Sequence, residues 1–508
     1  MKFVVRDVPL KLMSASVMMN PEDVAELGLV VGDRVKVVYE RHSCIKDVHI
    51  AVEFLKRGEL GFCRTTGPCA MHIPEGEMVE VLPVARPRSI EYIKNKMNGK
   101  RLAQEEIDTI TRDIVDNMLN EVELTAYVMA TYLRGADFDE IEWMTRSMIN
   151  TGETITFEKG HVVDKHSIGG VPGNKISLLI VPIIAASGLL IPKTSSRAIT
   201  SASGTADTME VLANVTLDIR EIKEITERVG GVIAWGGATN IAPADDLIIQ
   251  VERHLSVDPK SQLLASVIAK KGAMGAKHVV IDIPVGGTKV ATMEQGRELA
   301  GNFTELGRRL GLAVSCVLTY GSQPVGRTIG PALEAWEALT ALENGTSSKS
   351  LVEKSAGIAG VLLELSGKAT NGAAYAREVL ESGKALEKFR EIIEAQGGNP
   401  AVKSTDISLG DKRHDVMAVQ DGSVALINNI HLVRIARAAG APKDKGAGIL
   451  LHVKGGSHVK AGDPLFTIFA EKEWKLDYAN DLTGQIPPMI VSGMILESYP
   501  SPTIMGEQ

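Results

Sequence analysis

Asp164-Lys165-His166-Ser167-Ile168-Gly169-Gly170, Lys193-Thr194-Ser195-Ser196-Arg197 and Thr200-Ser201-Ala202-Ser203-Gly204-Thr205-Ala206-Asp207 are three turns built from small and hydroxylated residues around isolated cations. Such turns suit a phosphate. Glycines let backbone N–H groups approach an anion, serines and threonines add donors without bulk, and turns that lead into helices add the positive end of a dipole. From 159 to 206 the chain carries five Lys/Arg (159, 165, 175, 193 and 197) and one acid, Asp164, an excess of four positive charges in a chain of net charge −8. Read locally, this is a positive island in an acidic protein.

Around that island the chain alternates strand-like runs (Val279-Val280-Ile281-Asp282-Ile283, Ala313-Val314-Ser315-Cys316-Val317-Leu318) with amphipathic helices from Ile155 to about 400. That alternation predicts a mostly parallel sheet, a central α/β phosphate-binding domain at 154–400. Before it, Ile107, Ile110, Ile114, Val115 and Met118 recur at helical spacing. Leu124 to Leu133 and Ile141 to Ile149 continue the pattern, which predicts a helical domain at 87–153, joined by about 240–272. Residues 1–86 alternate apolar and polar in short runs, and Asn20-Pro21-Glu22-Asp23 supplies a cap, an N1 proline and early acids for a short helix. The stretch 19–35 resembles double-psi β-barrels, such as the N-terminal domains of some ring ATPases. No ATPase motif follows it: Gly367-Lys368-Ala369 lacks the preceding glycine and the hydroxyl of a P-loop. After about 400, glycine-bounded strands (Gly448 to Val453, Pro464 to Phe469) predict a C-terminal β-rich domain at 401–508. Its hairpin is similar to biotinyl or lipoyl domains but has no modified-lysine motif.

A length of 508 residues implies three or four domains of roughly 100–200 residues each. The composition, 44% hydrophobic and 23% charged with 49 glycines, fits a loop-rich α/β enzyme. An aromatic content of 4% argues against base-stacking platforms, and the acidic balance argues against a broad nucleic-acid surface, so a small substrate is expected. Cys44, Cys63, Cys69 and Cys316 form no Cys-x-x-Cys pair, which predicts reduced cytoplasmic thiols without zinc or disulfide. The histidines at 161, 254, 278, 414, 431, 452 and 458 lack ligand spacing, and no metal site is assigned. The N-terminus lacks a signal peptide's apolar core. The apolar run Ile176 to Pro192, interrupted by Ser177, Pro182, Ser187 and Gly188, is shorter than the ~20 residues a bilayer needs and is read as a buried helix.

The ordered motifs are specific. Lys165-His166-Ser167-x-Gly169-Gly170-Val171, Ser195-Ser196-Arg197-x-Ile199, Gly204-Thr205-x-Asp207-x-x-Glu210 and Val257-Asp258 leading to Ala265–Lys271 resemble the thymidine and pyrimidine-nucleoside phosphorylase family. So do Asp282-Ile283-Pro284-Val285-Gly286-Gly287-Thr288-Lys289 and Gly330-Pro331-Ala332-Leu333-Glu334, so that the likeness spans about 90 to 500. Two departures bear on substrate. Where the pyrimidine enzymes carry a carbonyl-reading arginine and a tyrosine, this chain has Val251 and Ile248, read as an apolar wall. The glycine-rich turn after Arg197 is replaced by Ala198-Ile199-Thr200-Ser201-Ala202-Ser203. With the added N-terminal domain, these differences resemble the AMP phosphorylase branch. Its members split nucleoside 5′-monophosphates (AMP, and here also CMP and UMP) with phosphate, giving free base and ribose 1,5-bisphosphate.

The resemblance implies roles. Lys165, Ser167, Ser177 and Thr205 hold orthophosphate, with Gly169 and Gly204 giving close backbone approach. Ser195, Ser196, Arg197, Ala198, Ile199 and Thr200 take the 5′-phosphate. Ser266 and Lys270, four apart on one helix face, flank base and ribose, and Lys289 closes the phosphate region. Asp258 is the candidate acid for the leaving base, with His166 its rival. No cofactor is implied, orthophosphate being a co-substrate; the partner is a further copy of the chain, in a dimer or a larger assembly of dimers. Three alternatives compete. A pyrimidine-nucleoside phosphorylase keeps the chemistry, a phosphoribosyltransferase of the same fold would need a magnesium-binding pair such as Asp245-Asp246, and a non-catalytic assembly module would need no site. Taken singly, each residue is more often structural: Asp258 reads as a helix cap, Ser266 as a packing serine and Lys289 as a surface cation.

Overall fold

The structure, a computed structural model, describes residues 1–12, 15–64, 71–158, 160–198, 201–255, 257–345 and 348–493. The chain forms two compact units, Met1–Thr154 with Asn240–Ala273, and Ile155–Thr239 with Met274–Gln508.

The first unit opens with six strands, β1 (Lys2–Lys11), β2 (Ser16–Met19), β3 (Arg34–Tyr39), β4 (His42–Ile50), β5 (Glu59–Arg64) and β6 (Met78–Pro83), closed into a barrel in the order β1-β5-β2-β4-β3-β6. Two of its pairings, β1 with β5 and β2 with β4, are parallel. Alternation sends Phe3 and Val5, Val17 and Met19, Val35 and Val37, and Val79 and Val81 into one core. The helix Pro21–Glu26 starts at Asn20, whose side chain accepts from the Glu22 N–H at 2.9 Å. The unit continues in the helices Ser89–Met97, Gln104–Val115, Glu121–Arg134 and Phe138–Asn150, joined by Pro243–Leu255 and Lys260–Ala273. Their shared core holds Ile107, Ile110, Ile114, Met144, Met148, Ala244, Ile248 and Ala265. Ile248 therefore serves packing; Ala244 and Ile248, one turn apart, both face inward, while Val251 is left partly exposed. Capping boxes set two of the helix starts: Asn120 with Glu123, and Asp137 with Glu140. Glu123 also pairs with Arg34 at 2.8 Å, tying β3 to the helices.

In the second unit β7 (Val163–Ser167), β10 (His278–Val285) and β11 (Ala313–Tyr320) form a parallel sheet in the order β11-β10-β7, and β8 (Ile191–Ser195) pairs in parallel with β9 (Gly231–Trp235). The crossovers are helical, and the sheet's core is continuous with the helix Ser177–Ala186, whose residues Ser177 to Ala185 are all buried. The run Ile176 to Pro192 is thus only partly helix. Ser187 and Gly188, the latter at φ +80°, end it, and Ile191 and Pro192 already belong to β8. Toward the C-terminus, Thr328–Ile329, Gly448–Leu451, Pro464–Ala470 and Lys412–Met417 build an antiparallel four-stranded sheet, and His458–Val459, Gly422–Ile427 and Met489–Ser492 a second. Lys454, in the hairpin, is no exposed acceptor for a prosthetic group: its ammonium hydrogen-bonds the carbonyls of Pro324 and Gly326. Among the described residues no helix is long and apolar enough to cross a membrane.

Candidate active site

Ser167, the last residue of β7, stands opposite Asp282 of β10 in parallel register. Open α/β sheets present ligands at the C-terminal ends of their strands. Ser167 donates its hydroxyl proton to Asp282 Oδ2 at 2.7 Å and accepts from Asn174 Nδ2 at 2.8 Å. Thr319 donates to Asp282 Oδ1 at 2.6 Å, and the Lys354 ammonium lies 2.8 Å from Oδ2. Asp282 is fully buried, so its charge is held by these groups rather than by water. Burial pushes the Lys354 pKa below its ordinary value, the neighbouring carboxylate opposing that shift. Three residues beyond Asn174, at the first turn of the helix Ser177–Ala186, the Ser177 hydroxyl is completely buried and has no hydrogen-bond partner among the described residues, nor has Asn174 Oδ1. A buried hydroxyl left unsatisfied at a helix start is an open donor for an anion.

Gly169 and Gly170 follow at φ +82° and +83°. The turn 286–289 lies against them: Thr288 N–H donates to Gly170 O at 2.9 Å, and a Cβ on Gly170 would come within 3.0 Å of the Lys289 nitrogen. Lys289 is therefore brought to the glycine turn. Lys165 is buried in β7, and His166 is half-buried beside it.

The second and third turns are pressed together. A Cβ on Gly204 would stand 2.5 Å from Ser196 O and 2.8 Å from Ala198 N. Asp207 clamps them, its Oδ2 accepting from the backbone of Ala198 at 2.6 Å and Gly204 at 3.0 Å. Arg197 donates to both oxygens of Glu210, at 2.7 and 2.5 Å, lies 3.4 Å from Asp207, and stacks over Trp235 at 4.8 Å. Arg197 and then Lys445, 2.6 Å away, hold the Glu210 carboxyl down at about 2. Ser195 lies at the end of β8, Ser196 is exposed, and Thr205 begins the short helix Thr205–Met209. Ile199 and Thr200 fall outside the described residues.

Two cations of the positive island, Lys175 and Arg197, are met by acids, and Lys159 falls outside the described residues. Lys175, completely buried, pairs with Glu337 at 2.6 Å and donates to the carbonyls of Val325 and Thr328; Lys193 donates to Thr194 O; Arg197 is engaged as above. A count along the sequence misses this, because Glu337 lies far downstream and Asp207 and Glu210 just beyond the counted window. Asp282 stood within a recognised motif, but Lys354, Trp235 and Lys445 carry no local signal, since only folding brings them to the turns.

In the first unit, Asp245 is buried and accepts from Ser266 at 2.8 Å and from Gln262 at 3.4 Å, with the Lys270 ammonium at 2.5 Å. Burial works against the Lys270 charge, but Asp245 and Asp246 outweigh it and hold its pKa above the ordinary value. Partial burial, with Asp245 adding to it and Lys270 opposing, pushes the Asp246 carboxyl up to about 6. The acidic pair is thus already engaged by a lysine, which disfavours it as a magnesium site. Among the described residues no three His, Cys, Asp or Glu cluster as metal ligands. Asp258 is exposed in the turn just ahead of the helix Lys260–Ala273.

Three family models match the chain: the glycosyl transferase family helical bundle domain at 90–152, the glycosyl transferase family a/b domain at 159–386, and the pyrimidine nucleoside phosphorylase C-terminal domain at 423–485. A solved anthranilate phosphoribosyltransferase from Thermus thermophilus, 22% identical with a TM-score of 0.50, covers 60% of this chain with 99% of its own, a likeness of fold. Fold, turns and models define a glycosyl transferase of nucleoside-phosphorylase type. AMP phosphorylase 1 of Archaeoglobus fulgidus is 61% identical over 97% of this chain and 98% of its own, and the AMP phosphorylase of Methanothrix thermoacetophila 52% identical over 96% of each. The chain belongs to the AMP phosphorylase family.

Proposed function

We propose that this enzyme cleaves AMP, and also CMP and UMP, with orthophosphate. An orthophosphate oxygen bonds to C1′ as the C1′–N bond breaks; the bonding pair leaves with the base, which takes a proton, and the sugar is released as ribose 1,5-bisphosphate. The observation that carries the reading is the Ser177 hydroxyl, buried and unspent at a helix start just beyond the Ser167–Asp282 pair, with Gly169-Gly170 and Lys289 on the same unit. Lys165, Ser167, Gly169, Ser177, Gly204 and Thr205 receive orthophosphate. The turn around Arg197 receives the 5′-phosphate, a guanidinium with neighbouring hydroxyls matching its oxygens. Ser266 and Lys270, oriented by Asp245, serve ribose and base. Asp258 gives the proton to the leaving base. The enzyme needs no cofactor and works in the cytoplasm as a homo-oligomer. Incubation with AMP and phosphate, followed by phosphorus NMR, tests this: ribose 1,5-bisphosphate is expected, and ribose 1-phosphate from nucleosides alone would refute it.

A further inference from the structure

Arg197 does not face solvent as an idle cation. Both of its terminal nitrogens are spent on Glu210, and its face lies on Trp235. A phosphate seeks that same two-pronged edge. For a nucleotide to take it, Glu210 must release the guanidinium, and a half-buried carboxylate stripped of its partner would resist that exchange. Asp207 cannot follow, because its Oδ2 is locked by the backbone of Ala198 and Gly204.

A second cation is already in place. Lys445, from the C-terminal β-rich segment, puts its ammonium 2.6 Å from Glu210 Oε2 and 3.8 Å from Asp207 Oδ1. The same segment sends Arg437 to the Ser201 carbonyl at 2.9 Å. Without Lys445, two carboxylates would face one guanidinium and leave the turn net negative where a phosphate dianion is to sit. With it, the four side chains balance. A lysine suits the task, because a compact charge on a flexible stem can follow one carboxylate oxygen as the other is vacated.

We propose that Lys445 is a positioning residue of the 5′-phosphate subsite: it retains Glu210 and offsets Asp207, so that Arg197 is free to turn its edge to the nucleotide. The inference rests on the AMP reading above.

The full-length chain with Lys445→Met and Lys445→Arg tests it, by steady-state kinetics with AMP varied at saturating phosphate and phosphate varied at saturating AMP. The methionine variant is expected to raise KM for AMP by about tenfold or more while kcat stays within about threefold and KM for phosphate is unchanged; the arginine variant should restore KM for AMP to within about threefold of the wild type. An unchanged KM for AMP, an equal rise in KM for phosphate, or failure of arginine to restore AMP affinity overturns the proposal. If the methionine variant does not fold, Lys445→Gln against Lys445→Arg decides it by the same numbers. A wild-type enzyme that releases no adenine from AMP defeats the AMP reading and the proposal together, whereas normal wild-type turnover with a silent Lys445→Met defeats the proposal alone.

Discussion

Glu334 is a carboxyl with almost no water around it. Burial pushes it up to about 7, Lys175 opposing the shift and Glu337 and Asp207 adding to it, and it accepts the Gly330 N–H at 3.2 Å. Unfolded, it would ionise near 4.5. Between those values the unfolded chain gives up a proton that the native one keeps, so stability falls as pH rises from about 4.5 to about 7 and levels off above. Glu334→Gln removes that loss while keeping an acceptor for Gly330. The variant should melt higher than wild type at pH 8 by more than it does at pH 5, and an equal difference at both would refute the assignment. Asp258→Asn should lower kcat by roughly 10²–10⁴-fold with little change in KM for AMP. Near-normal turnover would pass the proton to His166. Such residues differ in how far the sequence disclosed them. Ser167 and Arg197 stand in ordered motifs, whereas the buried state of Glu334 and the stacking of Trp235 on Arg197 arise from contacts no local pattern encodes.

The elements were legible wherever local chemistry governs them. Alternation in Val35 to Val38 and the cap at Asn20 act within a few residues, so that strand and that helix start could be read directly. The end of the apolar helix could not, because Ile191 and Pro192 are as apolar as the helix before them and only pairing with β9 makes them strand. Lys175 shows the same limit for charge. Read as part of a positive island, it is instead a buried strut holding the loop 325–328 to the helix Pro331–Asn344 through Glu337. Lys175→Met should cost about 3–5 kcal/mol by denaturant titration, since it strands Glu337, and adding Glu337→Gln should recover a good part of it. A further loss in the double variant would contradict this account. At the paired turns, Gly204→Ala inserts a methyl 2.5 Å from Ser196 O. It should weaken AMP at least about tenfold with native circular dichroism retained, and unaltered AMP kinetics would show that the turns need not touch.

At the scale of the molecule, the residues proposed for orthophosphate all belong to the second unit, while Asp245, Asp258, Ser266 and Lys270 belong to the first. Saturating phosphate without nucleotide should therefore slow amide exchange around 165–178 and 203–206 and leave 240–273 unchanged, and protection of both segments would argue against that division. The barrel carries a consequence for how the chain is made. Its opening strand is flanked by the fifth and the sixth, so none of the early strands can close a wall with its sequence neighbours alone. During synthesis on the ribosome, the apolar face of Phe3 and Val5 must stay uncovered until Pro83 has cleared the exit tunnel. A premature stop anywhere before that point leaves a sticky fragment instead of a smaller barrel.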